Sequence, residues 1–390
     1  MIPYGKQHID KADITSVSKA LKNEYLTQGS LVEKFEKLIS KYVGSKYAVA
    51  VSSCTAGLHL SAKVSGLNKN NQLLTSANTF VSTANSALYC GSKVVFSDIE
   101  PHTGNMSIAD IENILKKNKK IKALSPVHFA GVPLNMQKIR KISKKYKLFV
   151  YEDAAHALGS RYMDGSRVGN CKYSDLTVFS FHPIKSITTG EGGVITTNNK
   201  KIYEKLKRLR SHGIEKLKNN FVSKENSSNN NKNSPWYFEM QELGYHYRIT
   251  DIQCALGINQ LKKINKFIKK RESISKRYDL AFKNVSNCKI LQKNLKNWSS
   301  HHLYVLKIDF NNINISKSEF MNKLKKKGII TQVHYIPVYL HPFYRSKKES
   351  KKKLKNTEEY YEQALSIPIY YDLKKKDQKY VIDNIKKIIK

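Results

Sequence analysis

The chain is short of acidic residues, holds few cysteines and has no long apolar run. Only 31 Asp and Glu stand against 69 Lys and Arg in 390 residues, a formal net charge of +38 at pH 7. The five cysteines (Cys54, Cys90, Cys171, Cys254, Cys288) are odd in number, scattered and never spaced CxxC. That spacing argues against a disulfide framework and a zinc site and for a reducing compartment, so no metal and a cytoplasmic location are expected. No apolar run approaches the roughly 18 residues needed to span a bilayer. The amino end, MIPYGKQHIDKADI, has no apolar core of the signal-peptide kind, so no membrane partner is expected.

The excess of base invites a nucleic-acid reading, which its distribution opposes. It is almost all lysine, spread over separate segments such as KKNKKIK, KKYK, LKKINKFIKK, KKKLK and KKIIK. A nucleic-acid binder more often concentrates arginine and aromatics on one face or arm. Diffuse lysine reads as solvated helix faces, and a positive surface that attracts an anionic small substrate. What is present fits a folded globular protein: 40% hydrophobic residues, with 23 Tyr and 14 Phe. The length allows one large core plus a smaller second domain.

Along the chain, strand-like and helical segments alternate. Helices are predicted at Lys11–Leu21, Leu31–Tyr42 and Ser107–Lys117, the last with Ser107 and Asp110 at capping-box spacing. Strand candidates are 46–53, 72–75, 93–97, 122–127, 147–152 and the two runs flanking Lys185. Such alternation with nearly continuous apolar strands predicts an α/β fold whose largely parallel sheet is covered on both faces. Functional residues then gather at strand ends. Residues 215–234 are Asn/Ser/Lys-rich and read as a mobile surface loop. A large domain over 1–256 and a small α/β domain over 257–390 are expected, with an amphipathic helix in TDIQCALGINQLKK (250–263) and a second helix over 264–282 leading into the small domain.

Three strand exits carry candidate chemistry. Ser53, Cys54 and Thr55 follow the first strand at a helix start, an anion site or an ordinary N-cap. Asp153 leaves the KLFVYE strand ahead of two alanines and His156. LTVFSFHPIKSITTGEGGVITT, from Leu176 to Thr197, presents Lys185 between two buried strands. A partly desolvated amine there can be neutral and nucleophilic, as a carbonyl cofactor requires, although a solvated loop lysine would read the same way. Phe80 is a core aromatic or a platform for a flat ring.

Taken together, Asp153, His156, Ser180 and Lys185 resemble the pattern of the DegT/DnrJ/EryC1/StrS family of pyridoxal-phosphate sugar aminotransferases. The likeness runs from Ile2 to the last helix. It is carried by LTQG (26–29), NTFVSTANSALYCG (78–91), EDAAHALGS (152–160), FSFHPIKSITTGEGG (179–193), RSHGI (210–214), YRITDIQCALG (247–257) and TQVHYIPVY (331–339). It implies the aspartate-aminotransferase-like fold type I. It also implies that Lys185 holds pyridoxal 5'-phosphate as a Schiff base, with Asp153 against the ring nitrogen. By the same likeness His156 meets the ring oxygen, Phe80 stacks on the ring, and Cys54, Thr55 and Ser180 hold the phosphate.

Two positions depart from the family pattern. Cys54 replaces a glycine or alanine, and His246 replaces an asparagine that reaches the phosphate in the neighbouring subunit of a homodimer. Tyr4, Tyr25, Leu26, Thr27, His302, Leu303, Tyr304 and His334 are the implied sugar-nucleotide contacts. The implied reaction moves an amino group from L-glutamate to C4 of a UDP-linked 2-acetamido-2,6-dideoxy-hexos-4-ulose, on the way to pseudaminic acid. Alternatives are a perosamine, bacillosamine or legionaminic precursor, the family's dehydratase branch (opposed by the presence of Lys185), and a nucleic-acid-binding protein on the same fold.

Overall fold

The alternation read from the sequence becomes a seven-stranded sheet flanked by helices. The computed structural model describes residues 1–223, 234–292, 298–346 and 353–390. Helices α1 (Lys11–Ala20) and α2 (Ser30–Val43) come first, then β1 (Tyr47–Val51) and α3 (Cys54–Val64). The series continues with β2 (Gln72–Ser76), α4 (Val81–Leu88), β3 (Lys93–Ser97), α5 (Ile108–Lys117) and β4 (Ile121–Ser125). Next are α6 (Met136–Tyr146), β5 (Phe149–Asp153), β6 (Leu176–Ser180), β7 (Gly193–Thr197) and α7 (Lys200–Arg210). The termini follow local chemistry: Asp10 and Asp13 form a reciprocal capping box on α1, and Ser107 caps α5 by accepting from the Asp110 amide.

The strand order is β1-β7-β6-β5-β4-β2-β3. β7 pairs antiparallel with β1 and β6, and every other pair is parallel. The reversal follows from the connection, because β6 and β7 are joined by the Lys185 turn and not by a crossover helix. Both sheet faces are covered. Phe179 and Val194 pack with Phe35 and Ile39 on one side, and Val178 and Ile195 with Leu58 and Leu60 on the other.

Part of the segment read as a loop is ordered. β8 (Ile214–Glu215) and β9 (Glu239–Met240) form an antiparallel ribbon, and the Glu239 carboxylate accepts from the Val222 and Ser223 amides. Buried carboxylates thus do for this stretch what apolar anchors do elsewhere. Residues 224–233 of the expected loop lie outside the described residues.

The two helices expected after it are a single 32-residue helix, α8 (Asp251–Phe282). It starts at a Thr250/Gln253 capping box and meets no proline. Gly257 sits inside it because α2 comes close: a Cβ there would lie 2.8 Å from the Phe35 ring and from the Thr189 methyl. The expected 256/257 boundary falls within α8. Its first half packs on the large sheet through Ile258, Leu261 and Ile264, and Ile274, Tyr278 and Phe282 pack with the last third of the chain.

That last third holds β10 (Cys288–Ile290), β11 (Tyr304–Ile308), α9 (Lys317–Lys326), α10 (Pro342–Arg345), α11 (Lys355–Gln363), β12 (Ala364–Ile367) and α12 (Lys375–Ile389). β10, β11 and β12 form a three-stranded antiparallel sheet. TQVHYIPVY makes no strand among the described residues; it bridges from Gln332 to Ser366 on β12 and reaches the end of β2, where the Val338 amide donates to the Ala77 carbonyl at 3.0 Å. No described helix is long and apolar enough to cross a membrane.

Candidate active site

The ends of β1, β5 and β6, the start of α4 and the extended 332–336 segment meet at one cavity of about 640 Å³. At the start of α3, the Ser53 hydroxyl accepts from the Ala56 amide at 3.1 Å. The amides of Cys54 and Thr55, in the first turn, have no intrahelical acceptor and sit at the positive end of the helix dipole. β7 closes on this turn so tightly that a Cβ on Gly193 would lie 2.7 Å from the Ser53 carbonyl. Ser180, at the end of β6, accepts from the His182 amide at 3.4 Å, which leaves its own hydroxyl hydrogen to donate.

Asp153 ends β5 and is buried. Its Oδ2 accepts from Thr83 Oγ1 at 2.6 Å and its Oδ1 from the Ala155 amide at 3.1 Å. Thr83 is itself fixed by Thr79, 2.8 Å away. Lys185 lies in the turn after β6, its amide donating to the His182 carbonyl at 2.9 Å. Burial pushes its amine down to about 8, against the upward pull of Cys54 and Asp153. Roughly a tenth of such amines are neutral at pH 7, against about one in three thousand for an ordinary lysine. Burial, reinforced by Asp153 and opposed by Lys185, holds the Cys54 thiol well above its usual range, so it stays protonated.

Phe80 keeps 56% of its surface exposed on the cavity wall, which suits it to cover a flat ring. His156 accepts the Ala130 amide on Nδ1 at 3.3 Å and lies 3.0 Å from the Tyr335 hydroxyl on Nε2. Burial, with Lys185 and His334 adding to it, holds His156 well below the usual histidine range. Tyr4 and His334 face each other at 5.5 Å between ring centroids. His334 is bonded to Ser366 at 2.9 Å and pushed down to about 3, first by burial and then by Lys185.

The structure therefore brings together nine of the residues singled out from the sequence: Tyr4, Cys54, Thr55, Phe80, Asp153, His156, Ser180, Lys185 and His334. Seven others lie off the cavity wall. His302 is buried behind it, its ring tilted at 34° to that of His156 with 4.3 Å between centroids. Leu303 packs with Phe129 and Tyr360. Tyr304, on β11, points into the core of the last third and donates to Asp279 at 2.7 Å, so its hydroxyl is engaged away from the cavity. Tyr25, Leu26, Thr27 and His246 share another surface. There Thr27 bridges to Thr250, the Leu26 carbonyl accepts from Asp251, and the His246 and His212 rings are 5.4 Å apart. Tyr25 and Leu26 are exposed on it.

Sequence reasoning missed Thr83, His182, Glu191, Tyr335 and His341. Thr83, His182, Glu191 and Tyr335 lie inside stretches already singled out, and all of the five but Thr83 line the wall. It also missed two supports behind the wall. Glu152, on the opposite face of β5 from Asp153, is wholly buried and accepts from His128, Tyr162, Ser174 and Thr177. Arg271 on α8 is buried and donates to the carbonyls of Ile369 at 2.7 Å, His302 at 3.3 Å and Ile184 at 3.5 Å. Burial pushes its guanidinium down to about 10.

A buried amine whose pKa is lowered to about 8, a buried carboxylate, free helix N-terminal amides and an exposed aromatic face suit an aldehyde-bearing, phosphorylated pyridine. The residues present fit pyridoxal 5'-phosphate. Among the described residues no group of three His, Cys, Asp or Glu could hold a metal ion.

Comparison with known proteins agrees with this chemistry. A UDP-4-amino-4,6-dideoxy-N-acetyl-beta-L-altrosamine transaminase of Campylobacter jejuni is 42% identical, covering 100% of this chain and 98% of that protein. The spore coat polysaccharide biosynthesis protein SpsC of Bacillus subtilis is 36% identical over 100% of this chain and 97% of its own. The structure of Helicobacter pylori PseC, an aminotransferase of pseudaminic acid biosynthesis, superposes with a TM-score of 0.90 at 32% identity, over 100% of this chain and 99% of that one. The sequence profile of one family matches residues 7–386, and the chain belongs to it: the DegT/DnrJ/EryC1/StrS aminotransferase family.

Proposed function

We propose that the protein is a pyridoxal-phosphate-dependent sugar-nucleotide aminotransferase. It transfers an amino group from L-glutamate to C4 of UDP-2-acetamido-2,6-dideoxy-β-L-arabino-hexos-4-ulose, giving UDP-4-amino-4,6-dideoxy-N-acetyl-β-L-altrosamine. The observation that carries the reaction type is the meeting of Lys185 and Asp153 in one cavity, the amine's pKa lowered to about 8 by burial. Full-length likeness to the Campylobacter transaminase supports the substrate.

When bound, pyridoxal phosphate supplies an aldehyde that condenses with amines and a pyridine ring that accepts an electron pair. The chain's own residues do the rest. The Lys185 amine would hold the aldehyde-bearing group and would carry a proton to or from C4 of the sugar. Asp153, fixed by Thr83 and Ala155, keeps a proton on the ring nitrogen. The Cys54 and Thr55 amides with the Ser180 hydroxyl hold the phosphate, and Phe80 covers the ring and excludes water. Tyr4 and His334 contact the sugar.

The surface carrying Tyr25, Leu26, Thr27 and His246 is proposed to complete the neighbouring subunit's site in a homodimer. Its exposed apolar residues support that reading. A soluble nucleotide-sugar substrate points to the cytoplasm. The test is incubation with L-glutamate, pyridoxal phosphate and a panel of UDP- and GDP-linked keto sugars, including L- and D-configured hexos-4-uloses. Amination of the L-configured UDP sugar is expected. Preference for the D-configured sugar moves the substrate to another branch, and no amination of any overturns the function.

A further inference from the structure

Tyr335 occupies the seam between the cofactor side and the sugar side of the cavity. Its ring runs nearly parallel to His156, 6.1 Å away at 21°, and meets Phe129 edge-on at 6.3 Å. Toward the opening it contacts Phe80 at 6.2 Å and His334 at 4.9 Å. Its amide donates to Asn78 Oδ1 at 3.2 Å, which ties this extended segment to the loop ahead of Phe80.

The hydrogen bonds of His156 decide which way the Tyr335 hydroxyl acts. Nδ1 accepts from the Ala130 amide. A neutral imidazole whose Nδ1 accepts carries its single proton on Nε2. Burial keeps this histidine neutral. Nε2–H therefore donates to the Tyr335 oxygen at 3.0 Å. The tyrosine is an acceptor in that bond, so its own hydrogen is left over. Among the described residues no acceptor takes it, and the residue lines the cavity. The ring of His302, tilted against His156 with 4.3 Å between centroids, leaves the imidazole little room to turn over. Burial, reinforced by Asp153, Tyr4 and Cys54, raises the phenol, so the hydrogen stays on it.

We propose that Tyr335 is a further catalytic residue, a hydrogen-bond donor to an oxygen of the bound cofactor or substrate, held in its donating orientation by His156. This rests on the aminotransferase reading above. Two oxygens have the required chemistry, the phenolic oxygen of the pyridoxal ring and the C4 carbonyl oxygen of the keto sugar. Both oxygens accept hydrogen bonds. A neutral donor to either acts without charge of its own, which suits a site that already holds Lys185.

The test is Tyr335→Phe, which deletes the hydroxyl and keeps the ring contacts; thermal unfolding run alongside verifies that the variant is folded. Three measurements separate the cases: the pyridoxal phosphate dissociation constant, a pH titration of the bound cofactor's absorbance without substrate, and single-turnover rates of each half-reaction. Donation to the ring oxygen predicts an affinity loss of about tenfold and a titration midpoint moved by about half a unit or more. Donation to the sugar oxygen leaves both as in the wild type and keeps the L-glutamate half-reaction, while the keto-sugar half-reaction slows about 10- to 100-fold. A variant that matches the wild type within about twofold in all three overturns the proposal. A wild-type protein that binds no pyridoxal phosphate strikes the parent reading instead.

Discussion

Replacing Glu152 by glutamine removes one charge, leaves the shape nearly unchanged, and so weighs the buried acceptor behind Asp153. Oε2 accepts from His128 Nε2 at 2.6 Å and from Tyr162 at 2.7 Å, and Oε1 from Thr177 at 2.9 Å and from Ser174. Burial alone would raise this carboxyl; the bonds from His128, Ser174 and Tyr162 outweigh it and hold the group below its usual range. His128 cannot reverse its role, because its Nδ1 already accepts from the Leu134 amide at 3.2 Å. The new amide nitrogen must therefore take the Oε1 side, where the Ser174 and Thr177 hydroxyls can turn to accept. What is lost is the charge assistance of the His128 and Tyr162 bonds and part of the Ser174 and Thr177 bonding, together about 2–4 kcal/mol. An unfolding entropy of about 2.1 cal/mol/K per residue makes 1 kcal/mol worth about 1 °C in a cooperative chain of this length. Thermal unfolding at pH 7 should fall by about 2–5 °C. Because a depressed carboxyl stabilises above its unfolded pKa and stops doing so as pH falls through the folded one, the gap to wild type should shrink on acidification below about 4.5. An unchanged midpoint at pH 7, or a gap that widens in acid, would refute the reasoning.

Lys185→Met should lower turnover by about 10³-fold or more while the protein stays folded, read by coupled assay and circular dichroism. The same variant tests the buried charge. Between about 8 and 10.5 the unfolded lysine binds a proton the folded one does not, so cofactor-free wild type should gain stability across that window. Cofactor-free Lys185→Met should thus melt higher than wild type at pH 7, with the difference closing toward pH 10.5; equal melting at pH 7 counts against a desolvated amine. Asp153→Asn should keep the fold and lose about 10²-fold or more in kcat, since an amide does not hold a proton on the ring nitrogen; near-normal kcat would remove Asp153 from its role. Phe80→Ala should weaken pyridoxal phosphate about tenfold by fluorescence titration, and unchanged affinity would show that the ring lies elsewhere.

What was legible in the sequence was local. Asp153, Ser180 and the Ser53–Thr55 turn stand where apolar runs stop, and a strand exit can be read from neighbours in the chain. Lys185 was legible as a single amine between two buried strands. Tyr335 was not, because its segment makes no strand or helix of its own and is placed by Asn78 and His156, distant in sequence. Tyr304 stands two residues from His302, yet strand alternation and the bond to Asp279 turn it into another core. The unbroken α8 was read as two helices because its apolar stripe changes partners midway, from the large sheet to the last third. Charge pattern hid the 214–240 ribbon, whose anchors are Glu215 and Glu239 instead of apolar side chains.

Arg271 has a mechanical consequence. At about 1.5 Å per residue α8 is a strut some 48 Å long, and about two-thirds of the way along it one guanidinium grips carbonyls from three otherwise separate stretches. Ile184 immediately precedes Lys185. Pulling the C-terminal portion away from the sheet would have to unfasten a desolvated cation from all of its oxygens at once. Arg271 therefore works as a rivet between the two portions, while Phe80 and Ile336 at the cavity rim stay exposed.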